Sequence, residues 1–142
     1  PLENSSFLVS SANFNEKIHG KGFVARLSGS TAEFLQMWEL MMNGEKLFTM
    51  QDGTLTFKLA PAIPAYLVKD DGKVETTLFG KIKVVYDCGS KRDLIPGQYA
   101  VRKYELVAAD GSIESCEAAT VSGEAAQRIR DGKVAEIRVT IQ

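Results

Sequence analysis

Apolar residues follow two different rhythms along this chain. Between Phe34 and Met42 they recur at three- and four-residue spacing. Phe34, Met37, Trp38 and Met41 form one stripe, which Leu35 and Met42 widen. Just upstream, Ser30-Thr31-Ala32-Glu33 reads as a capping box, with Ser30 accepting from the Glu33 amide and Glu33 reaching back to the Ser30 amide. Just downstream, Asn43-Gly44 is a left-handed stop. The pattern predicts one long amphipathic helix over about residues 31–43, with the stripe in a core; a sugar-stacking platform of Trp38, Phe34 and the methionines is the alternative.

After Gly44 the period changes to two. Thr54 to Leu59 alternates, with Leu55, Phe57 and Leu59 on one face. Pro61 and Pro64 bracket a link that cannot be a central strand. Val74 to Phe79 and Ile82 to Tyr86 follow, separated by Gly80-Lys81. Gln98 to Ala109 is a long alternating run, with Tyr99, Val101, Lys103, Glu105 and Val107 on one side and Ala100, Arg102, Tyr104, Leu106 and Ala108 on the other. Asp110-Gly111 is a hairpin turn, after which Ser112 to Val121 returns. A short helix is expected at 123–130, capped by Ser122 and stopped by Asp131-Gly132. A last strand runs from Val134 to Ile141, with Ile137, Val139 and Ile141 in phase. Before the helix, Phe7-Leu8-Val9 and Gly22-Phe23-Val24-Ala25 read as brief strands or ordered loops in a stretch rich in Ser, Asn and Gly.

Short strands at regular spacing, joined at Asp52-Gly53, Asp71-Gly72, Asp110-Gly111 and Asp131-Gly132, favour an antiparallel sandwich. The expected class is mainly β (α+β): a β-sandwich or jelly-roll-like domain preceded by one long amphipathic helix. Residues 1–48 hold the loops and that helix, and residues 49–142 hold the strands.

Composition narrows the partners. With 44% hydrophobic and 25% charged residues, the chain has the balance of a soluble globular protein. Its 142 residues suit one compact domain with a sizeable core. A net charge of −1 supplies no field for nucleic acid or an anionic membrane. No apolar run approaches the roughly 20 residues that span a bilayer, and no signal peptide is visible. The expected compartment is the cytoplasm. A first residue of Pro1 rather than Met suggests a piece of something longer.

Candidate chemistry is sparse. Cys88 and Cys116 are too few for a disulfide scaffold and read as half-buried thiols, although a single bridge between them stays open. With His19 as the one histidine and no cysteine pair at ligand spacing, neither a metal site nor a cofactor is expected. His19 reads as a solvated loop residue; a base or a phosphate ligand is the alternative. The carboxylates, among them Asp70, Asp71, Asp87, Asp93, Asp110 and Asp131, sit mostly at turn and cap positions, where Asp bonds to its own backbone. Tyr66, Tyr86, Tyr99 and Tyr104 are scattered along the strands and suit either sheet packing or a sugar platform. One segment stands out. Arg26-Leu27-Ser28-Gly29-Ser30-Thr31 places hydroxyls around a glycine at a helix N-terminus, where unpaired amides and the helix dipole favour an anion. Plain capping with a turn glycine explains the same residues.

In that context, Leu2-Glu3-Asn4-Ser5-Ser6-Phe7, Ser10-Ser11-Ala12 and the run from His19 to Leu35 resemble the closing section of cellobiose-phosphorylase-like proteins, the inverting disaccharide phosphorylases and their relatives. Leu59-Ala60-Pro61-Ala62-Ile63-Pro64 is similar to their link into a last β-domain, and Lys81 to Tyr86 to the strand that follows. The resemblance runs in order through about 90 residues and more loosely beyond. It implies that residues 1–48 are the last segment of an (α/α)₆ barrel and residues 49–142 the C-terminal β-sandwich. The family's general acid, an Asp in the barrel, has no counterpart here, so no catalytic residue is expected in the chain. Ser28 and Gly29 match the family's phosphate-contacting Thr-Gly pair, with Arg26, Ser30 and Thr31 as neighbours of the anion. The implied partners are the rest of the parent chain and inorganic phosphate or a sugar phosphate. The alternatives are a carbohydrate-binding module and a structural domain that forms a homodimer through the helix face.

Overall fold

The computed structural model describes residues 4–8, 17, 22–26 and 28–142, and for residues 4–8, 22–26 and 28–31 it describes the backbone elements only. The chain divides into two units, Pro1–Trp38 and Glu39–Gln142. The boundary falls inside the long helix.

In the first unit, β1 (Asn4–Leu8) and β2 (Gly22–Arg26) form an antiparallel hairpin, in register from Asn4 opposite Arg26 to Leu8 opposite Gly22. Val9, expected at the end of the first strand, lies outside the described residues. Helix α1 spans Ser28–Asn43. It begins three residues before the expected start. Ser30 is therefore a residue of the helix's first turn and not its cap, because a cap must have non-helical backbone.

The second unit is built on a mixed sheet. After α1 come β3 (Phe48–Gln51), β4 (Thr54–Phe57), β5 (Lys73–Leu78), β6 (Ile82–Asp87), β7 (Val101–Val107), β8 (Ile113–Cys116), β9 (Val121–Ser122), helix α2 (Glu124–Arg130) and β10 (Glu136–Ile141). The five-stranded sheet has the order β5-β6-β10-β7-β8, and a three-stranded sheet has the order β3-β4-β9. Among the described residues the class is mainly β with two α-helices, as expected. The sheet is not purely antiparallel, however: β10 runs parallel to β6 and antiparallel to β7. Helix α2 intervenes before β10, and a parallel neighbour needs such a crossover rather than a tight turn.

Period-two patterning sorts the sheet's faces. Val74, Leu78, Ile82, Val84, Tyr86, Leu106, Tyr104, Ile137, Val139 and Ile141 point into the core. Each fully buried Ile or Val contributes about 1.5–3 kcal/mol. The in-phase set Ile137, Val139 and Ile141 is borne out. In β7 the phase changes once. The pairing shifts between Thr140 and Ile141, so that Thr140 faces Lys103 and Ile141 faces Val101. The extra residue, Arg102, is a bulge that lets Val101 and Tyr104 both be buried, where strict alternation separates them.

Three other expectations change. The run from Ser112 to Val121 is two strands, β8 and β9, in different sheets. Ser122 belongs to β9, paired with Thr56, and so cannot cap α2; the cap position is Gly123, at φ 67, with no side-chain cap bond. Phe79 is not a strand residue but a turn residue at φ 54. A bulky residue there costs about 1–2 kcal/mol, offset by a ring stacked on Phe48 at 6.2 Å. Strand β3 had no pattern to announce it. It is mostly exposed and is held by its pairing with β4 across Asp52-Gly53, both at positive φ.

The C-terminal end of α1 is closed by tertiary structure. Its last four carbonyls lack partners within the helix. Leu40 O accepts from Gly44 N at 2.9 Å, Met41 O from Ala62 N at 2.7 Å and Asn43 O from Ala60 N at 3.0 Å. Met42 O accepts from the Tyr86 hydroxyl at 2.7 Å. Gly44 adopts φ 98, and a Cβ there would meet Ala60 at 3.1 Å, so the expected left-handed stop is also a point of close approach. Two more phenols hold the same link. The Leu59 amide donates to Tyr104 Oη at 3.0 Å, and Tyr99 Oη donates to Pro61 O at 2.7 Å. Beside them the Asn43 amide is buried, with Nδ2 unpartnered and Oδ1 3.5 Å from Tyr86 Oη. Turning that amide over gives Nδ2 the phenol oxygen as an acceptor, since the phenol's proton is committed to Met42.

Burial, followed by the other tyrosines and Cys88, raises the Tyr86 phenol well above its ordinary pKa. Burial pushes Tyr99 and Tyr104 up to about 12. Neutral phenols therefore favour the folded state. Their contribution is complete below the unfolded value near 10 and is lost as pH rises from there through about 12. Urea titrations across that range should show falling stability in step with phenolate absorbance. In a Tyr86→Phe, Tyr99→Phe, Tyr104→Phe variant the slope should flatten. At neutral pH, Tyr86→Phe alone should cost about 1–3 kcal/mol, the penalty of orphaning a buried carbonyl. A loss within the error of the urea measurement would show that water replaces the phenol.

Candidate functional site

Ser28, Gly29, Ser30 and Thr31 form the first turn of α1, and Arg26 is the last residue of β2. The first four amides of the helix thus belong to the four residues singled out in the sequence. That differs from the expected arrangement, in which Ser28 and Gly29 preceded the helix as a loop. Leu27 and His19 lie outside the described residues. Glu33, the other half of the expected capping box, is exposed.

Along the next two turns the helix is bare. Phe34 is 63% exposed, Met37 68% and Trp38 38%, with Leu35 and Leu40 also exposed. The expected buried stripe is therefore corrected. Only its last turn enters a core, where Met42 is 1% exposed and Met41 is partly buried. That last turn belongs to the Glu39–Gln142 unit, where the helix end is tied to Ala60, Ala62 and Tyr86.

The tyrosines are mostly interior. Tyr86 and Tyr104 are fully buried, Tyr99 is half-buried, and each is committed to a backbone group of the α1–β4 region or the link after it. Tyr66 is exposed on a single 3₁₀ turn, Ala65–Leu67. The outer face of the five-stranded sheet carries charges instead. A depression of about 440 Å³ there is lined by Glu75, Lys83, Glu105, Glu136 and Arg138 among others. These residues pair with one another: Glu75 with Lys69 and Lys83, Glu105 with Lys103, and Glu136 with Arg138. Exposed pairs of this kind contribute little stability. They pull Glu105 below the ordinary carboxylate range, mainly through its hydrogen bond to Lys103.

The Asp residues behave as turn residues. Asp71 accepts from the Lys73 amide, Asp87 from Gly89, Asp93 from Ala65 and Asp110 from Ser112. The hydrogen bonds from Ser112 hold the Asp110 carboxyl below its usual value. Cys88 and Cys116 are free thiols, which settles the bridge left open by the sequence. Burial raises both pKa values, and neighbouring Arg92 or Arg128 opposes that rise. Each thiol is thus kept protonated and is a poor nucleophile at neutral pH. Among the described residues, no three His, Cys, Asp or Glu side chains group to hold a metal ion. Among the same residues, no helix is long and apolar enough to cross a membrane.

The feature that sequence reasoning missed is the link 58–62. Its amides and carbonyls meet the end of α1 and three phenols, and nothing in the local pattern marks Tyr86, Tyr99 and Tyr104 as its partners. No protein-family model, no curated protein and no solved structure matches this chain.

Proposed function

We propose that this chain is a non-catalytic domain of a larger carbohydrate-active enzyme, similar to the inverting disaccharide phosphorylases, that fixes one helix of the enzyme's helical body. The observation that carries this reading is α1. Its C-terminal turn is built into a β core through Met42 and Asn43, while Phe34, Leu35, Met37, Trp38 and Leu40 stay exposed. Apolar side chains on this scale mark an interaction surface, and a helix secured at one end suits a connection between two bodies.

The chemistry comes from the residue resemblance. Ser28 and Gly29 correspond to a phosphate-contacting Thr-Gly pair, and Ser retains the hydroxyl. With them in the first turn of α1, the amides of that turn, which have no partner within the helix, add positive potential for inorganic phosphate or a sugar phosphate. The general acid that protonates the leaving sugar comes from elsewhere in the enzyme, and the proposed compartment is the cytoplasm. A carbohydrate-binding module is the weaker reading, because Tyr86, Tyr99 and Tyr104 bond to backbone and do not offer a sheet-face platform.

The chain by itself should not phosphorolyse cellobiose. In the full-length enzyme, Ser28→Ala should weaken phosphate use by about 1–2 kcal/mol, the scale of a hydrogen bond to a charged group. The check is the phosphate dependence of kcat/KM at fixed disaccharide. An unchanged dependence in that variant would sink the phosphate assignment.

A further inference from the structure

The two edges of the five-stranded sheet are finished differently. At β5, Glu75 is ion-paired with Lys69 and Lys83, and charge at an edge discourages a further strand. At β8 the backbone itself is open. Antiparallel strands bond through alternate residue pairs. The Ala108 amide donates to Ser112 O at 2.9 Å, which puts Leu106–Glu114 and Tyr104–Cys116 in the bonded positions. Ile113 and Ser115 therefore turn their N–H and C=O groups outward, away from β7. Among the described residues neither has a second strand to bond. Ile113 is 52% exposed beside that edge.

A cavity of about 240 Å³ adjoins the same strand. Its lining includes Leu106, Ala108 and Val134, together with Glu114, Arg128 and Lys133. Glu114 stands opposite Leu106, a core residue, so the cavity lies on the face of the sheet that carries α2. Pockets that hold whole small molecules run to roughly 300–1,000 Å³; this one suits a single side chain. Its charges do not balance. Glu114 is bonded to Arg128, whereas Lys133 has no carboxylate partner among the described residues.

We propose that β8 is a docking edge for an extended acidic peptide of a partner protein, which adds as a sixth strand and places one Asp or Glu side chain in the cavity against Lys133. The open groups of Ile113 and Ser115 are two donors and two acceptors in line, and another extended backbone matches them. An added strand carries its side chains perpendicular to the sheet, alternately on either face. Every second one projects on the α2 side, where Leu106, Ala108 and Val134 accept its methylenes and Lys133 its carboxylate. A second copy of this chain fits less well. Two-fold antiparallel pairing of β8 through Ile113 and Ser115 sets the two Glu114 side chains directly opposite each other, and like charges so placed are destabilising.

The probes are the peptide acetyl-Val-Thr-Glu-Thr-Val-amide and its Gln counterpart. Each is titrated into the 142-residue chain and followed by amide chemical shifts and hydrogen exchange. The Glu peptide should slow exchange at Ile113 and Ser115 and shift Lys133. It should bind roughly tenfold tighter than the Gln peptide, the scale of a hydrogen bond between charged groups. Lys133→Gln should erase that preference and leave the unfolding midpoint unchanged, since the side chain is exposed. Ser115→Pro removes one outward N–H at an edge, where proline is tolerated, and should abolish the slowing by either peptide. Exchange at Ile113 and Ser115 that ignores the Glu peptide would overturn the proposal, as would equal affinity for the two peptides. Sodium acetate reproducing every effect of the Glu peptide would reduce the site to a carboxylate pocket and overturn the added strand. Slowing at the same amides that grows with protein concentration, with no peptide present, would make a second copy the occupant and overturn the partner.

Discussion

Everything in the Glu39–Gln142 unit depends on how the end of one helix finds partners for its carbonyls. A helix leaves four of them without intrahelical bonds, and burying them unpaired costs more than most packing contacts return. Here Gly44, Ala60, Ala62 and the Tyr86 hydroxyl take one each. The segment that supplies two of these donors is itself held by Tyr104 at Leu59 and Tyr99 at Pro61. Helix end, link and sheet are therefore one hydrogen-bonded unit. Its tyrosines come from β6, β7 and the residues just before β7.

That arrangement explains why Tyr86, Tyr99 and Tyr104 are committed to the structure. A buried phenol brings a large apolar ring and needs one polar partner. Phe57 packs edge-on against Tyr104 at 6.2 Å and tilted against Phe48 at 5.1 Å, so the aromatic chain runs from the core to the strained turn at Phe79. The opposite face of the sheet is left to Lys, Glu and Arg. Their mutual pairing keeps that face solvated, and the charges flanking β5 discourage edge-to-edge pairing with another sheet.

The helix itself holds a tension that the unit does not resolve. Met42 and Asn43 are buried, yet the side chains one to two turns earlier are not. Local propensity favours a helix from Ala32 to Met42, rich in Leu, Met, Glu and Gln. Apolar periodicity then asks for a core, and of the apolar residues in the stripe Met42 alone is fully buried.

The sequence by itself determined the element types. The three- and four-residue spacing of Phe34, Met37, Trp38 and Met41 announced α1, Asp-Gly and Asn-Gly pairs announced the turns, and Ile137, Val139 and Ile141 announced the inward face of β10. These signals are local, because backbone sterics and side-chain period act over a few residues. It also marked Ser28 to Thr31 as lying near a helix start, although the helix begins at Ser28 and not at Thr31. Tertiary structure alone decided the rest. It chose β6 as the parallel neighbour of β10, split the Ser112–Val121 run between two sheets, and inserted the bulge that buries Val101. It also turned three scattered tyrosines into the clasp on the α1 terminus. Those outcomes depend on contacts between residues some 40 positions apart, such as Tyr86 with Met42 and Leu59 with Tyr104, and no local pattern carries them.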